Sequence, residues 1–355
     1  MKNRYLCTNT LPYMKGIRFF VALLCSLCIV DSCKPEDRYI VISGFAQGGT
    51  YTVKLNLNGE AGMVAVRPEE IRDSIDAILG RIDRSLSGYN KNSILSHFNA
   101  GDSVIPDDLF KAMYAKSYDI YQETEGVVDV ASAPLFDVWG FGFSKGEFPS
   151  DEKVQEVLAV SGMKNLSRDI TDCLNSSSAR PKLNFNAVAQ GYSCDLVAEY
   201  LYSIGVKDML VDIGEFFCDG RNPSGKPWSI GIDSPVDGNN TPGTDIRGIF
   251  KAPAGPHGIV TSGNYRKFYV RDGKKYAHTI DPRTGYPVSH SLLSATVVAK
   301  DAFTADAYAT WCMVVGLEEA MEFLETTAGF DGCLIYDDGG EMKVWCSSGF
   351  VLEGI

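Results

Sequence analysis

Apolar residues recur along the chain with two different spacings, and the switches between them outline the elements. Apolar and polar residues alternate through "YIVISGFAQGGTYTVKLNL" (39–57) around a Gly-rich break, which predicts two strands joined by a Gly-Gly turn. From Pro68 onward Ile71, Ile75, Ile78, Leu79, Ile82 and Leu86 fall at helical spacing, predicting an amphipathic helix of about five turns. A polar loop is expected over 88–102, then a second helix from Pro106 to about Thr124, stopped by Gly126. "VVDVASAPLFDVWGFGF" (127–143) has no clean period and reads as a Pro/Gly-punctuated aromatic loop, followed by a short helix near 151–159.

"PKLNFNAVAQGYSCDLVAEYLYSIGV" reads as a strand that turns into a helix through 187–191. "DMLVDIGEFFCDG" and "PWSIGIDSP" read as one strand each. The last third reads as strands in "GIVTSGNYRKFYV", "KKYAHTI" and "SLLSATVVA", a helix from Thr304, another at 317–327, and a closing hairpin, "CLIYDDGGEMKVWC". There is no internal repeat and no evident linker. The order is not a strict βαβ alternation, so the expectation is an α+β fold with mixed, mostly antiparallel sheets, two interleaved lobes forming one compact unit.

The N-terminus differs from the rest. Lys2, Arg4, Lys15 and Arg18 precede "FFVALLCSLCIV" (19–30), a basic stretch followed by an apolar run too short to span a bilayer, so it reads as a secretory leader. Met14 is an alternative start. The run ends in "VDSC" (30–33), which resembles a bacterial lipobox with Cys33 as the lipidated residue, although Asp31 departs from the usual small spacer. The expected organisation is a lipoprotein signal over 1–32, a short tether over 33–38 and one domain over 39–355, placing the chain on the periplasmic side of a bacterial membrane by a lipid anchor. Ordinary signal cleavage nearby is the alternative for Cys33.

Charge narrows the function. Of 355 residues 22% are charged and 45% apolar, and removal of 1–32 takes away four positive and one negative charge, moving the net charge from −12 to −15. A basic nucleic-acid face is therefore not expected. A phosphorylated substrate would need a bound cation or local donors. Cys173, Cys194, Cys218, Cys312, Cys333 and Cys346 lack metal-type spacing, and most sit among apolar neighbours as small buried hydrophobes do.

Four clusters carry candidate chemistry. In "TADAYATW" (304–311) Asp306 and Thr310 lie four apart and share a helix face. A carboxylate and a hydroxyl form a hard-oxygen pair suited to Mg²⁺. The same residues also fit a helix start with Thr304 at the N-cap and Asp306 in the first turn. "NFNAVAQGYSCD" (184–195) puts small residues and Gly191 at a helix start, where backbone can approach an anion. In "HTIDPRTGYP" (278–287) two prolines and Gly285 fix a turn that would hold His278, Asp281, Arg283 and Thr284, with His278 able to act as a base near neutral pH. Tyr89, and Trp139, Phe141 and Phe143 between glycines, are aromatics able to flank a planar ring or simply to pack.

In order and spacing, "GGTYTV", "GYNKNSILSHFN", "APLFDVWGFG", "NAVAQGYSCDLVAEYL", "LVDIGE", "PWSIGI", "TSGNYRKF", "HTIDPRTGYPV" and "ADAYAT" resemble the ApbE family, the FAD:protein FMN transferases of bacterial envelopes, over almost the whole mature chain. That resemblance implies Mg²⁺ on Asp306, Thr310 and the Ala187 carbonyl. It implies FAD against Tyr89, the Trp139–Gly140–Phe141 loop, Asn184, Gln190, Ile280, Thr284 and the "AQGGT" turn with Gly48. His278 is the implied proton acceptor, with Asp281 as a neighbouring carboxylate. The implied reaction transfers FMN from FAD to a threonine of an acceptor protein with release of AMP. The acceptors implied are subunits of sodium-pumping NADH:quinone oxidoreductase or Rnf-type complexes. FAD hydrolysis to FMN and AMP, or FAD binding without turnover by a periplasmic lipoprotein, are the rival readings. Asn184 and Gln190 stand where the family usually has Asp and Lys, and Gly48 where it usually has Met. The amides keep hydrogen-bonding reach without charge, implying altered affinity or metal dependence.

Overall fold

A computed structural model describes residues 38–354 except 60, 143–147, 172–180, 237–242, 266–267 and 272–273. The leader, Cys33, Phe143 and Cys173 lie outside the described residues. Strands β1 (Tyr39–Ala46) and β2 (Gly49–Asn56) form a hairpin, followed by the short pair β3 (Asn58–Gly59) and β4 (Gly62–Met63). Helices α1 (Pro68–Leu86), α2 (Ile94–Ala100), α3 (Asp108–Glu123), α4 (Ala133–Val138) and α5 (Asp151–Val160) come next, then α6 (Ala189–Ser203). Strands β5 (Met209–Asp212), β6 (Phe216–Asp219), β7 (Ser229–Asp233), β8 (Ile246–Lys251), β9 (His257–Gly263), β10 (Phe268–Arg271), β11 (Lys274–Ala277) and β12 (Leu292–Ala299) precede α7 (Ala302–Val315) and α8 (Leu317–Thr326). Strands β13 (Asp331–Asp338), β14 (Glu341–Cys346) and β15 (Leu352–Glu353) close the chain.

One eight-stranded antiparallel sheet, ordered β1-β2-β5-β6-β9-β12-β13-β14, organises the unit Tyr39–Ile355. Its neighbouring residues serve opposite faces. Val260, Val297 and Leu334 enter the main core shared with the helices, whereas Ile259, Val298, Cys333 and Ile335 enter a second core with Ile230, Ile232 and Phe250 of the sheet β15-β8-β7. Strands covered on both faces lose the alternation of buried and exposed positions, and β12 is buried at nearly every residue, Ser294 and Thr296 included. The two interleaved lobes of the α+β reading are thus the two covered faces of one sheet. A third cluster joins Leu135, Trp139, Val154 and Ile280 around the HTIDPRTG turn.

The elements differ from the sequence reading at several points. The first turn is Gln47-Gly48, both at positive φ (52° and 82°), with Gly49 already paired to Ala46; this two-residue geometry matches strand twist. The loop over 88–102 contains α2, because Ser93 Oγ accepts from Ser96 N at 2.9 Å, Leu95 and Phe98 are buried, and Gly101 ends it at φ 84°. Helix α3 starts after Asp107, whose carboxylate accepts from Phe110 N, and not at Pro106. The aromatic loop over 127–143 contains α4, opened by Pro134 and anchored by buried Leu135.

The "DMLVDIGEFFCDG" run makes two strands, β5 and β6, because Gly214 (φ 91°) turns it back, and β8 was not anticipated. "GIVTSGNYRKFYV" divides into β9 and β10. The segment before α6 is not a strand: its Leu183 backbone is satisfied by the Asn99 amide, which donates to Leu183 O and accepts from Leu183 N at 2.8 Å each. Helix α7 begins at Ala302 and not at Thr304, with Asp301 as N-cap accepting from Thr304 N at 2.7 Å.

Candidate active site

Helices α6 and α7 meet at a glycine. A Cβ on Gly191 would stand 2.2 Å from Ala302 O and 2.9 Å from Asp306 Cβ, so only glycine allows the approach. Across it, Gly191 N donates to Asp306 Oδ2 at 3.0 Å. Asp195, one turn further along α6, accepts from Ala302 N and Phe303 N at 2.8 Å each, capping α7 from a neighbouring helix. Asp306 is 5% exposed, and burial pushes its carboxyl up to about 8; the Gly191 N–H opposes the shift and the Asp195 charge adds to it. Asp195 is likewise pushed up to about 7, chiefly by burial. Thr310 lies one turn along α7 on the same face and is half-buried, and Ala187 sits in the turn that opens α6.

Among the described residues no group of three or more His, Cys, Asp or Glu is placed to hold a metal. The α6–α7 junction carries one carboxylate, Asp306, with the Thr310 hydroxyl a turn along α7 and the Ala187 carbonyl in the turn that opens α6. All are hard oxygens, and an Mg²⁺ that keeps several waters needs no more. Ionising Asp306 is costly where it lies, and a divalent cation would offset that cost. The residues fit the ion.

The HTIDPRTG turn is held by its own backbone and by two side chains. Ile280 bridges Pro287, Val288 N donates to Thr279 O at 3.0 Å, Asp281 N to Tyr286 O at 2.9 Å, and Gly285 N to Asp281 O at 2.8 Å. Gly285 is at φ 84°, and a Cβ there would stand 2.9 Å from Val154 Cγ1. The Asp281 carboxylate accepts from Arg283 N at 2.8 Å, and from Arg283 Nε and Nη2 at 3.0 Å each. It is thereby committed to the turn. Trp139 Nε1 donates to Gly285 O at 2.8 Å, with its indole buried and stacked on Tyr276. Trp139 therefore braces the turn from the third core cluster, while half-exposed Phe141 meets His278 edge-on at 6.4 Å. Gly140 follows Trp139 at φ 75°, Ile280 is buried, and Thr284 is exposed beside Tyr286 N.

A third group converges on the start of α6. Tyr89, 71% exposed, accepts from Asn186 Nδ2 at 3.3 Å, and Asn184 Oδ1 accepts from Asn186 N at 3.0 Å. Gln190 Nε2 donates to Ile213 O at 3.1 Å and lies against Gly214, where a Cβ would stand 2.4 Å from it. The Gln47 amide donates to Ser193 Oγ, tying the β1–β2 turn and Gly48 to α6. Asp195, Asn186 and Ser193 were not singled out from sequence. Asp195 carried a signal, since it follows Gly191 by four residues and so shares its face.

Known proteins resemble this chain. The model of the ApbE family matches residues 48–334. The chain is 34% identical over 349 residues to the FAD:protein FMN transferase of Escherichia coli K12, covering 93% of this chain and 95% of that one. It is 33% identical over 321 residues to the FAD:protein FMN transferase of Haemophilus influenzae, covering 88% and 90%. In structure it is similar to the apo form of the flavinyl transferase ApbE of Pseudomonas stutzeri, with TM-score 0.73, 30% identity, and 89% and 96% of the two chains covered.

Proposed function

The chain belongs to the ApbE family, and on that premise we propose that it is an Mg²⁺-dependent FAD:protein FMN transferase, moving FMN from FAD to a threonine hydroxyl of an envelope flavoprotein subunit with release of AMP. The observation that carries the reading is the hook between Gly191 N and buried Asp306, which brings the D-x-x-x-T pair of α7 to the turn that opens α6. Asp306, Thr310 and the Ala187 carbonyl would hold the ion. Bound there, Mg²⁺ supplies positive charge to diphosphate oxygens that a chain of net charge −12 would otherwise repel.

FAD lies against Tyr89, Phe141 and the Trp139-braced turn with Gly140, Ile280 and Thr284, and near Gly48, Asn184 and Gln190. The amides of Asn184 and Gln190 already make backbone hydrogen bonds, so they shape the pocket without adding charge. His278 takes the proton of the acceptor threonine as that oxygen attacks the FMN-side phosphorus. The bond to the AMP phosphate oxygen breaks, and FMN stays joined through a phosphoester. The grip of Arg283 on Asp281 supports His278 as the base, with Asp281 positioning the turn. The leader and Cys33 support a lipid-anchored enzyme at the periplasmic side of the membrane. Flavin-carrying subunits of sodium-pumping NADH:quinone oxidoreductase or Rnf-type complexes are the proposed acceptors.

Incubation with FAD, Mg²⁺ and such a subunit tests the reading by in-gel flavin fluorescence and AMP release. A fluorescent acceptor band with AMP is the expected result. AMP without a band makes the protein a hydrolase, and retained FAD without AMP makes it a binding protein; either overturns transfer.

A further inference from the structure

Strands β13 and β14 place Cys333 directly opposite Cys346. In an antiparallel pair, hydrogen-bonded and non-hydrogen-bonded positions alternate, and side chains are closer at the latter. Three observations fix the parity. Ser347 N donates to Gly332 O at 2.9 Å, which makes the pair preceding Cys333 a hydrogen-bonded one. The two-residue turn Gly339-Gly340 makes Asp338 and Glu341 hydrogen-bonded partners as well. Asp337 N turns away from β14 to donate to Ser291 O at 2.9 Å. Cys333 and Cys346 therefore occupy a non-hydrogen-bonded position. Cα atoms there stand about 4.5 Å apart, within the roughly 4.4–6.8 Å that a disulfide spans.

We propose that Cys333 and Cys346 are a disulfide site, a cross-strand link that pins the edge strand β14 to the sheet once the chain is exported. This is independent of flavin transfer. Cys346 is half-buried and Cys333 buried, so they divide the work of thiol–disulfide exchange. The Cys346 thiolate attacks an incoming disulfide, such as oxidised glutathione or a protein disulfide donor. One donor sulfur leaves as a thiolate, and a mixed disulfide remains. The Cys333 thiol, directly across the strand pair, loses its proton and attacks the Cys346 sulfur, expelling the second donor thiolate. Two cysteines are oxidised and one donor disulfide is reduced to two thiols.

The other described cysteines do not compete. Cys194, Cys218 and Cys312 are buried, with thiols pushed up by burial. Cys218 shares the second core with Cys333, but β9 and β12 lie between their strands. Three strand spacings amount to roughly 14 Å.

The test equilibrates the reduced full chain with excess oxidised glutathione, blocks remaining thiols under denaturing conditions and maps peptides by mass. The expected product joins the peptides of Cys333 and Cys346 and is two hydrogens lighter than the reduced pair, with Cys194, Cys218 and Cys312 alkylated. Reduction should lower the denaturant midpoint of wild type and leave that of Cys346→Ser unchanged. Cys333→Ser should accumulate one glutathione on Cys346, whereas Cys346→Ser should leave Cys333 unmodified over the same time. Free thiols at both positions, a link to any other cysteine, or an unshifted midpoint would overturn the proposal.

Discussion

The HTIDPRTG turn and the α6–α7 junction both carry candidate site residues, yet they are held by opposite means. In the turn, Asp281 bonds to residues two to five positions away, and several bonds do the same job. At the junction, Gly191 and Asp306 are 115 positions apart, and Asp195 reaches Ala302 and Phe303 across 107 and 108 positions. These three long-range hydrogen bonds to two carboxylates hold it. Apart from the Trp139 brace, the turn is redundant and local. The junction depends on a few long-range contacts centred on two buried carboxylates that burial pushes toward the protonated form. The cation proposed for the junction would need such a carboxylate, whereas a wall for the proposed flavin ring would need rigidity. The comparison predicts that single changes act strongly at the junction and weakly in the turn.

Asp306→Asn should show the largest effect. It keeps an acceptor for Gly191 N but removes the charge proposed for the ion. The expected loss of Mg²⁺-dependent FMN transfer is on the order of 10²–10³-fold, as when one electrostatic group is removed from a reacting centre. The urea midpoint should hold or rise, because the variant no longer buries an ionisable carboxyl. Transfer at the wild-type rate would remove Asp306 from the metal assignment. Gly191→Ala comes next. Its methyl would meet Ala302 O at 2.2 Å, so the helices must part. Overpacking of this kind costs about 1–3 kcal/mol in chemical denaturation; an unchanged midpoint would mean that the junction is looser than described.

What was legible in the sequence follows the same division. The turn could be read from Pro282, Gly285 and Pro287 because its determinants lie within ten residues. The apolar stripe of α1 was legible for the same reason, and Ile71, Ile75, Leu79, Ile82 and Leu86 are buried as its period requires. The D-x-x-x-T spacing was visible, but not its context. Both Asp301 and Thr304 are good N-cap residues, and it is Asp195, from another helix, that receives the first two α7 N–H groups. For Trp139 the sequence leaves ring contact and packing both open, because the groups that hold its indole, Tyr276 and Gly285, lie more than a hundred residues on. Asn99 replaces a strand partner for Leu183 across 84 residues, which no local pattern reveals.

Asp129 sits between the two regimes, and pH sharpens the contrast. Its carboxylate accepts from Ala131 N two residues away and from Met163 N 34 residues away, and burial raises it to about 6. A folded-state value above the ordinary 3.8 means that the chain gains stability from this group at low pH. That gain is present below about pH 4 and lost as pH rises through about 6. Asp129→Asn cannot titrate, so between pH 4 and 7 wild type should lose stability relative to it. The side chain keeps part of its surface in water, so the expected change is about 1–2 kcal/mol, less than full conversion of the shift. Urea midpoints of both proteins across that range check it; parallel curves would show that Asp129 is ionised in the fold at no cost.

Arg283→Ala should have the smallest effect, and for that reason it is the sharpest test of redundancy. The Arg283–Asp281 pair lies at the surface, with the Arg283 side chain 46% exposed. Pairs of this kind contribute about 0–1 kcal/mol, less at high salt. The Asp281 N–Tyr286 O, Gly285 N–Asp281 O and Trp139 Nε1–Gly285 O bonds remain when it is cut. Stability should fall by less than about 0.5 kcal/mol, and transfer should stay within about threefold, a barrier change of less than 1 kcal/mol. The pH–rate profile carries the second reading. With His278 as base, freeing Asp281 leaves the acid limb of that profile in place. A limb displaced in Arg283→Ala would give the proton to Asp281 instead, and the turn would then owe its two charged residues to chemistry and not to shape.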